Sequence, residues 1–171
     1  MKICILSDSH DRREHLAAAV SDAKSRGAQA VLHCGDIVAP STLHAAQPFG
    51  LPLHVIHGNN MGDTYHMTRL AHQKDSGVSY YGQDASLELH GRKIFLVHYP
   101  HYAQAMALTG DWDLVCNGHE HRAHIDRVQN TKGTETILID PGTVGGVSAP
   151  ATYCLGSLET MEFEIMTVPG F

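Results

Sequence analysis

No apolar run in the sequence approaches the roughly 20 residues needed to span a bilayer. The first such run, Ile3–Leu6, is short and leads directly into Ser7-Asp8-Ser9-His10, so nothing resembles a signal peptide. The expectation is therefore a cytoplasmic protein with no membrane partner. A basic surface is also missing. The net charge is −6, the wrong sign for a protein that lives on the phosphates of long nucleic acid. Cysteine is sparse: Cys4, Cys34, Cys116 and Cys154 are far apart and form no CxxC, so they read as small buried hydrophobes. Aromatic residues make up only 6% of the chain, with one tryptophan. The 171 residues suit one globular domain, 1–171, large enough for a core without disulfides. The unusual abundance is histidine, with 14 copies.

Short apolar runs alternate with helical patterns in the first part of the chain. Lys2–Ser7, Ala30–Cys34 and Leu53–His57 read as buried strands. A helix is expected from about Arg12, with Asp11 as its cap and Glu14 three residues on. A short helix is expected over Ser41–Ala46 and another near Thr64–Gln73. Later the pattern turns β-rich: Val78–Tyr81, Ser86–His90, Lys93–His98, Leu114–Asn117, Ala123–Gln129, Glu135–Asp140, Thr152–Leu158 and Met161–Val168. Gly91-Arg92 is read as a hairpin turn, and a weak helix covers about Tyr102–Leu108. The class is α/β, with two packed sheets and helices outside.

Five apolar runs end in metal-capable side chains. Ile3–Leu6 leads to Asp8 and His10, Ala30–Cys34 to Gly35-Asp36, and Leu53–His57 to Gly58-Asn59. Ile94–Val97 ends at His98, and Leu114–Asn117 leads to Gly118-His119-Glu120-His121. Ligands in α/β sheets bind beyond the carboxyl ends of strands, so these ends converge if the strands are neighbours. The Asp8/His10 and His119/His121 spacing puts both members of each pair on one side of an extended chain. The glycines are expected to let the backbone turn sharply. Two Asp, one Asn and four His without a thiolate argue against a structural cysteine-rich zinc site. Seven donors exceed one tetrahedral ion and suit two ions sharing a bridge, for which the Asp36 carboxylate is the natural choice.

In this order and spacing, Asp8-x-His10, Gly35-Asp36, Gly58-Asn59, His98 and Gly118-His119-Glu120-His121 resemble the five blocks of the calcineurin-like metallophosphoesterases, in particular their small single-domain phosphodiesterases. Asp140-Pro141-Gly142-Thr143 resembles that family's late Asn-Pro-Gly-Ser turn, which carries the match to about residue 145. The resemblance implies a four-layer α-β-β-α sandwich of two mixed sheets. It also implies two divalent transition-metal ions, with Mn, Fe, Zn, Ni and Co all compatible with the donors. One ion would take Asp8, His10, Asp36 and His121, the other Asp36, Asn59, His98 and His119. The implied chemistry is in-line attack by a metal-bridging hydroxide on a small phosphodiester or nucleotide. Two ions, two aspartates and a hydroxide leave the site near +1, which matches a diester monoanion.

The chain departs from the pattern in three places. Asn60 stands where relatives often place His or Cys, and an amide cannot act as a proton donor acid. His98-Tyr99-Pro100-His101 replaces a His-Gly-His, and Tyr99 would narrow the pocket or offer a stacking face. The acidic residue expected after Gly-Asn is displaced to Asp63. Asn59, Asn60 and His101 are accordingly the candidate catalytic groups, with His101 a candidate replacement acid. The rival readings are a non-catalytic interaction scaffold of the same fold and a phosphomonoesterase or nucleotide pyrophosphatase. Homo-oligomerisation is left open.

Overall fold

The computed structural model describes residues 1–171. Its strands are β1 (Lys2–Leu6), β2 (Ala28–His33), β3 (Leu53–Val55), β4 (Val78–Tyr80), β5 (Asp84–Leu89), β6 (Arg92–Val97), β7 (Leu114–Cys116), β8 (His124–Gln129), β9 (Glu135–Asp140), β10 (Thr152–Ser157) and β11 (Glu162–Thr167). The helices are α1 (Arg13–Ser25), α2 (Thr64–Ala71) and α3 (Pro100–Thr109). A six-stranded sheet runs β11-β10-β1-β2-β3-β4 and a five-stranded sheet β5-β6-β7-β9-β8. Strands β1 to β4 are mutually parallel, as are β6, β7 and β9, and both sheets carry antiparallel edges.

Strand alternation sorts the core into layers. Cys4, Leu6, Val31 and Val55 face Leu16, Ala19 and Val20 of α1 and Met67 and Leu70 of α2. Ile3, Ile5, Leu32 and Ile56 point the other way and meet Ile94, Leu96, Leu114 and Ile139 of the second sheet. Ala103 and Ala107 of α3 pack on Val97, Val115 and Leu138 across that sheet's outer face. The result is the expected α-β-β-α sandwich. No helix is long and apolar enough to cross a membrane.

The structure corrects several local expectations. Asp11 does not cap α1. Its Oδ1 accepts from the Ala39 N–H at 2.8 Å and the Thr42 hydroxyl at 2.7 Å, so it ties the loop after β1 to the loop after β2. The short helix expected over Ser41–Ala46 is present at Pro40–Ala45, wound as a 3-10 helix. The β5–β6 hairpin turns on His90 and Gly91, both left-handed (φ 52° and 71°), and not on Gly91-Arg92. Helix α3 starts earlier than expected because Pro100, whose ring presets helical φ, occupies its first turn.

Candidate metal centre

The carboxyl ends of β1, β2, β3, β6 and β7 meet where the two sheets adjoin, and all seven candidate donors gather there. Asp8, Asp36 and His98 are almost fully buried, His10 and His121 half-buried, Asn59 and His119 exposed. Two compact triplets stand out: Asp8, His10 and His121, and Asp8, Asp36 and His98.

The backbone that presents them is unusual. Asp8, His10, Asp36, His119 and His121 all adopt left-handed φ (54°, 42°, 55°, 80° and 57°). Such a conformation costs a non-glycine residue about 1–2 kcal/mol. Asp8/His10 and His119/His121 therefore converge through tight turns and not through strand alternation as the spacing implied. Cross-loop bonds hold the turns: the Asp8 N–H donates to Gly35 O at 3.0 Å, the His10 N–H to Asp36 O at 3.0 Å, and the Gly118 N–H to His98 O at 3.1 Å. The Thr143 hydroxyl and the Gly145 N–H both donate to Asp8 O, at 2.9 Å and 3.1 Å. The late turn Asp140–Thr143 thus serves to anchor the first loop.

The glycines also act differently from expectation. Gly35 is left-handed (φ 106°), but Gly58 and Gly118 are not. Their role is space. A Cβ on Gly58 would lie 2.2 Å from Asp36 Oδ1 and 2.6 Å from His98 Nε2, and one on Gly118 would lie 2.0 Å from Ser7 Oγ and 2.6 Å from Asp8 Oδ2.

Hydrogen bonds fix which ring nitrogens face the centre. His98 Nδ1 lies 2.8 Å from the Cys34 carbonyl, which can only accept, so Nδ1 carries the proton. In the neutral ring Nε2 then presents a lone pair, 3.1 Å from Asn59 Oδ1 and 3.4 Å from Asp36 Oδ1. His121 repeats the arrangement. Its Nδ1 donates to Val147 O at 2.8 Å, and its Nε2 faces Asp8 Oδ1 at 3.2 Å and His10 Nε2 at 3.1 Å. Lone pairs aimed at lone pairs at such distances call for a cation between them, and these N and O donors without thiolate fit divalent transition metals.

Asp8 belongs to both triplets, yet its two oxygens divide unevenly. Oδ2 accepts the His119 N–H at 3.0 Å, while Oδ1 faces His121 and His10. Asp36 points one oxygen each way, Oδ1 toward His98 at 3.4 Å and Oδ2 toward His10 at 3.8 Å. That geometry favours Asp36 over Asp8 as a shared ligand. Asn59 Oδ1 faces both His98 Nε2, at 3.1 Å, and His119 Nδ1, at 2.8 Å.

Asn60 was singled out for lacking an acid function, and the structure gives it a different contact. Its backbone N–H donates to Asp36 Oδ1 at 2.8 Å and its amide to Asp36 Oδ2 at 2.6 Å. His101 sits exposed on the first turn of α3, its ring against Tyr99 and Tyr102. Asp63 faces elsewhere: it caps α2 by accepting the His66 N–H.

Two residues outside the donor set support its loops. His33 is fully buried, and burial together with nearby His98 pulls its pKa down to about 3. Neutral, it accepts the Gly35 N–H at Nδ1 and donates from Nε2 to Ser9 Oγ at 3.2 Å, which steadies the loop between Asp8 and His10. Asp140 accepts from the Asn117 amide at 2.9 Å and the Gly142 N–H at 2.9 Å beneath the same loops. Burial first, opposed by the Gly142 bond and reinforced by the Asp8 charge, pushes its pKa up to about 7.

Residues 1–161 match the family model described as the calcineurin-like phosphoesterase superfamily domain. The chain belongs to that superfamily. A curated relative, phosphodiesterase MJ0936 of Methanocaldococcus jannaschii, is 28% identical over 149 residues, which is 85% of this chain and 86% of the relative. Among solved structures, an archaeal phosphodiesterase superposes with a TM-score of 0.86 at 24% identity, covering 98% of this chain and 99% of its own. The phosphoesterase YfcE of E. coli gives 0.67 at 16% identity, with 98% and 100% covered. Vps29 of Entamoeba histolytica, solved with zinc, gives 0.60 at 16% identity, with 96% and 90% covered. These structural likenesses establish the fold, and the superfamily makes this member a metal-dependent phosphoric ester hydrolase.

Proposed function

We propose that the protein is a two-metal phosphodiesterase acting on small phosphodiesters. The observation that carries this reading is the pair of opposed lone-pair clusters, one around His98 Nε2 and one around His121 Nε2, with an Asp36 oxygen aimed at each side. Asp8, His10, Asp36 and His121 would hold one ion, and Asp36, Asn59, His98 and His119 the other. Bound there, two divalent ions supply Lewis acidity toward phosphoryl oxygens and a nucleophile drawn from water at neutral pH.

The chain's own groups do the positioning. Asn59 turns its carbonyl oxygen toward the donors His98 and His119, which leaves its amide N–H free to donate to a phosphoryl oxygen. Asn60 fixes the plane of the Asp36 carboxylate from outside. Beside His121, an open groove of about 520 Å³ lined by Glu120, Arg122, Ser148 and Pro150 leaves room for an ester arm. Two divalent ions, two aspartates and a hydroxide would leave the site near +1, which suits a diester monoanion better than a monoester dianion. The scaffold reading has the full complement of seven converging donors against it.

The test is kcat/KM on methyl p-nitrophenyl phosphate against p-nitrophenyl phosphate, with Mn²⁺ supplied. The diester is expected to react faster. A clear monoester preference overturns the diester assignment and leaves the metal centre standing.

A further inference from the structure

Directly after the buried His98 the chain places an aromatic strip. The Tyr99 ring makes T-shaped contacts with two donor rings, 5.4 Å from His98 at 72° and 5.1 Å from His119 at 66°. These contacts fix it at the wall of the centre. Beyond it lie His101 at 5.8 Å and Tyr102 at 6.1 Å, themselves 4.1 Å apart. The strip therefore runs unbroken from the donor histidines to the protein surface.

Its position follows from local sequence. Tyr99 is the extended residue before α3 (φ −87°, ψ 130°), and Pro100 starts the helix immediately after. Helix α3 buries Ala103 and Ala107, two small residues that let its first turn sit close to the sheet. The face carrying His101 and Tyr102 is turned to solvent, and Tyr102 is 52% exposed. These two rings cover no core. The three rings are tilted to one another, Tyr99 by 38° to His101 and 77° to Tyr102, and His101 by 46° to Tyr102, so each offers its own face to a flat partner beside the centre.

We infer that Tyr99, His101 and Tyr102 form a stacking platform for a planar aromatic arm of the substrate, a nucleobase, held while its phosphate occupies the metal centre. The inference rests on the phosphodiesterase reading and sharpens it to nucleotide-bearing diesters. A base offers a π-face to any aromatic ring whatever its hydrogen-bonding edge, so the platform selects for nucleotides without selecting among them.

Adenosine 5′-monophosphate and ribose 5-phosphate differ only in the base, so their dissociation constants from the Mn²⁺-loaded protein, read by calorimetry, isolate the platform. Wild type is expected to bind the nucleotide about tenfold or more tightly than the sugar phosphate, from stacking alone. Tyr99→Leu, which keeps bulk and removes the π-face, is expected to bring the ratio close to one. Tyr102→Leu and His101→Ala alter exposed rings and are expected to lower it by smaller factors, so the test survives if Tyr99→Leu misfolds. Equal affinities in wild type, or a ratio untouched by all three substitutions, overturn the inference. Wild-type turnover of bis(p-nitrophenyl) phosphate is read in parallel. Absent turnover with an intact affinity ratio marks failure of the phosphodiesterase reading instead.

Discussion

The two donor triplets are built on opposite principles. Asp8, Asp36 and His98 are buried, walled by a glycine that tolerates no Cβ and locked by the Cys34 carbonyl behind the ring. In the triplet of Asp8, His10 and His121 only the aspartate is buried, and the two half-buried histidines hang on left-handed turns clipped to neighbouring loops. His98 is held by exclusion of volume and His10 and His121 by strained turns, while Asp8 and Asp36 sit on such turns in both. One pocket therefore answers to packing changes and the other to changes in its loops. Asp36 couples them, because each of its oxygens faces a different histidine.

The largest effect is expected where the two pockets join. Asp36→Asn removes the charge that both sides share. Diester turnover should drop by more than about a hundredfold, beyond the 10–100-fold typical of groups outside the ligand set. A variant with near wild-type kcat/KM would break the coupling idea outright. Next comes Gly58→Ala, whose methyl would collide first with Asp36 Oδ1 and His98 Nε2. Since the collision is with Asp36 Oδ1 and the His98 ring while Asp36 Oδ2 faces His10, metal analysis should find the His98-side ion weakened more than the His10/His121 ion. Equal loss from both pockets would contradict their separate construction.

Asn60→Ala comes third. It deletes the amide that fixes Asp36 Oδ2 but leaves the backbone donor in place, so metal affinity should weaken about 10–100-fold. A calorimetric titration of the variant with Mn²⁺ checks this, and unchanged affinity would reduce Asn60 to a bystander.

The smallest effect concerns stability of the metal-free protein. With Asp140 shifted from 3.8 to about 7, the fold favours its neutral form. That contribution is full below pH 3.8 and is lost as the pH rises through about 7. Asp140→Asn cannot ionise, so its Tm should exceed that of wild type by a few degrees at pH 8, and the two should converge toward pH 4. A gap that is constant across that range would show that Asp140 does not titrate between these limits.

The donor set was readable because metal chemistry restricts residue type, and because strand ends can be located from apolar runs. Asp8, His10, Asp36, Asn59, His98, His119 and His121 were all named from these two facts. The layers were readable for a related reason: short buried strands alternate their faces, as Ile3/Ile5 and Cys4/Leu6 do. What escaped was whatever depends on backbone atoms or on close approach. The Cys34 and Val147 carbonyls that set the histidine tautomers leave no mark in residue type. Gly58 and Gly118 looked like turn residues, since a glycine kept for space and one kept for positive φ are spelled alike. Asp11 and Asp63 show the converse. Each precedes a helix at a capping position, and only the fold decides that Asp63 caps while Asp11 bridges two loops.

The central claim is that two ions share this centre, and the direct measurement is a count of bound metal per chain set against diester turnover. Purified protein titrated with Mn²⁺ should saturate at about two ions, and chelation should abolish hydrolysis of bis(p-nitrophenyl) phosphate in step with their removal. Saturation at one ion or none, or turnover that survives complete chelation, would contradict it.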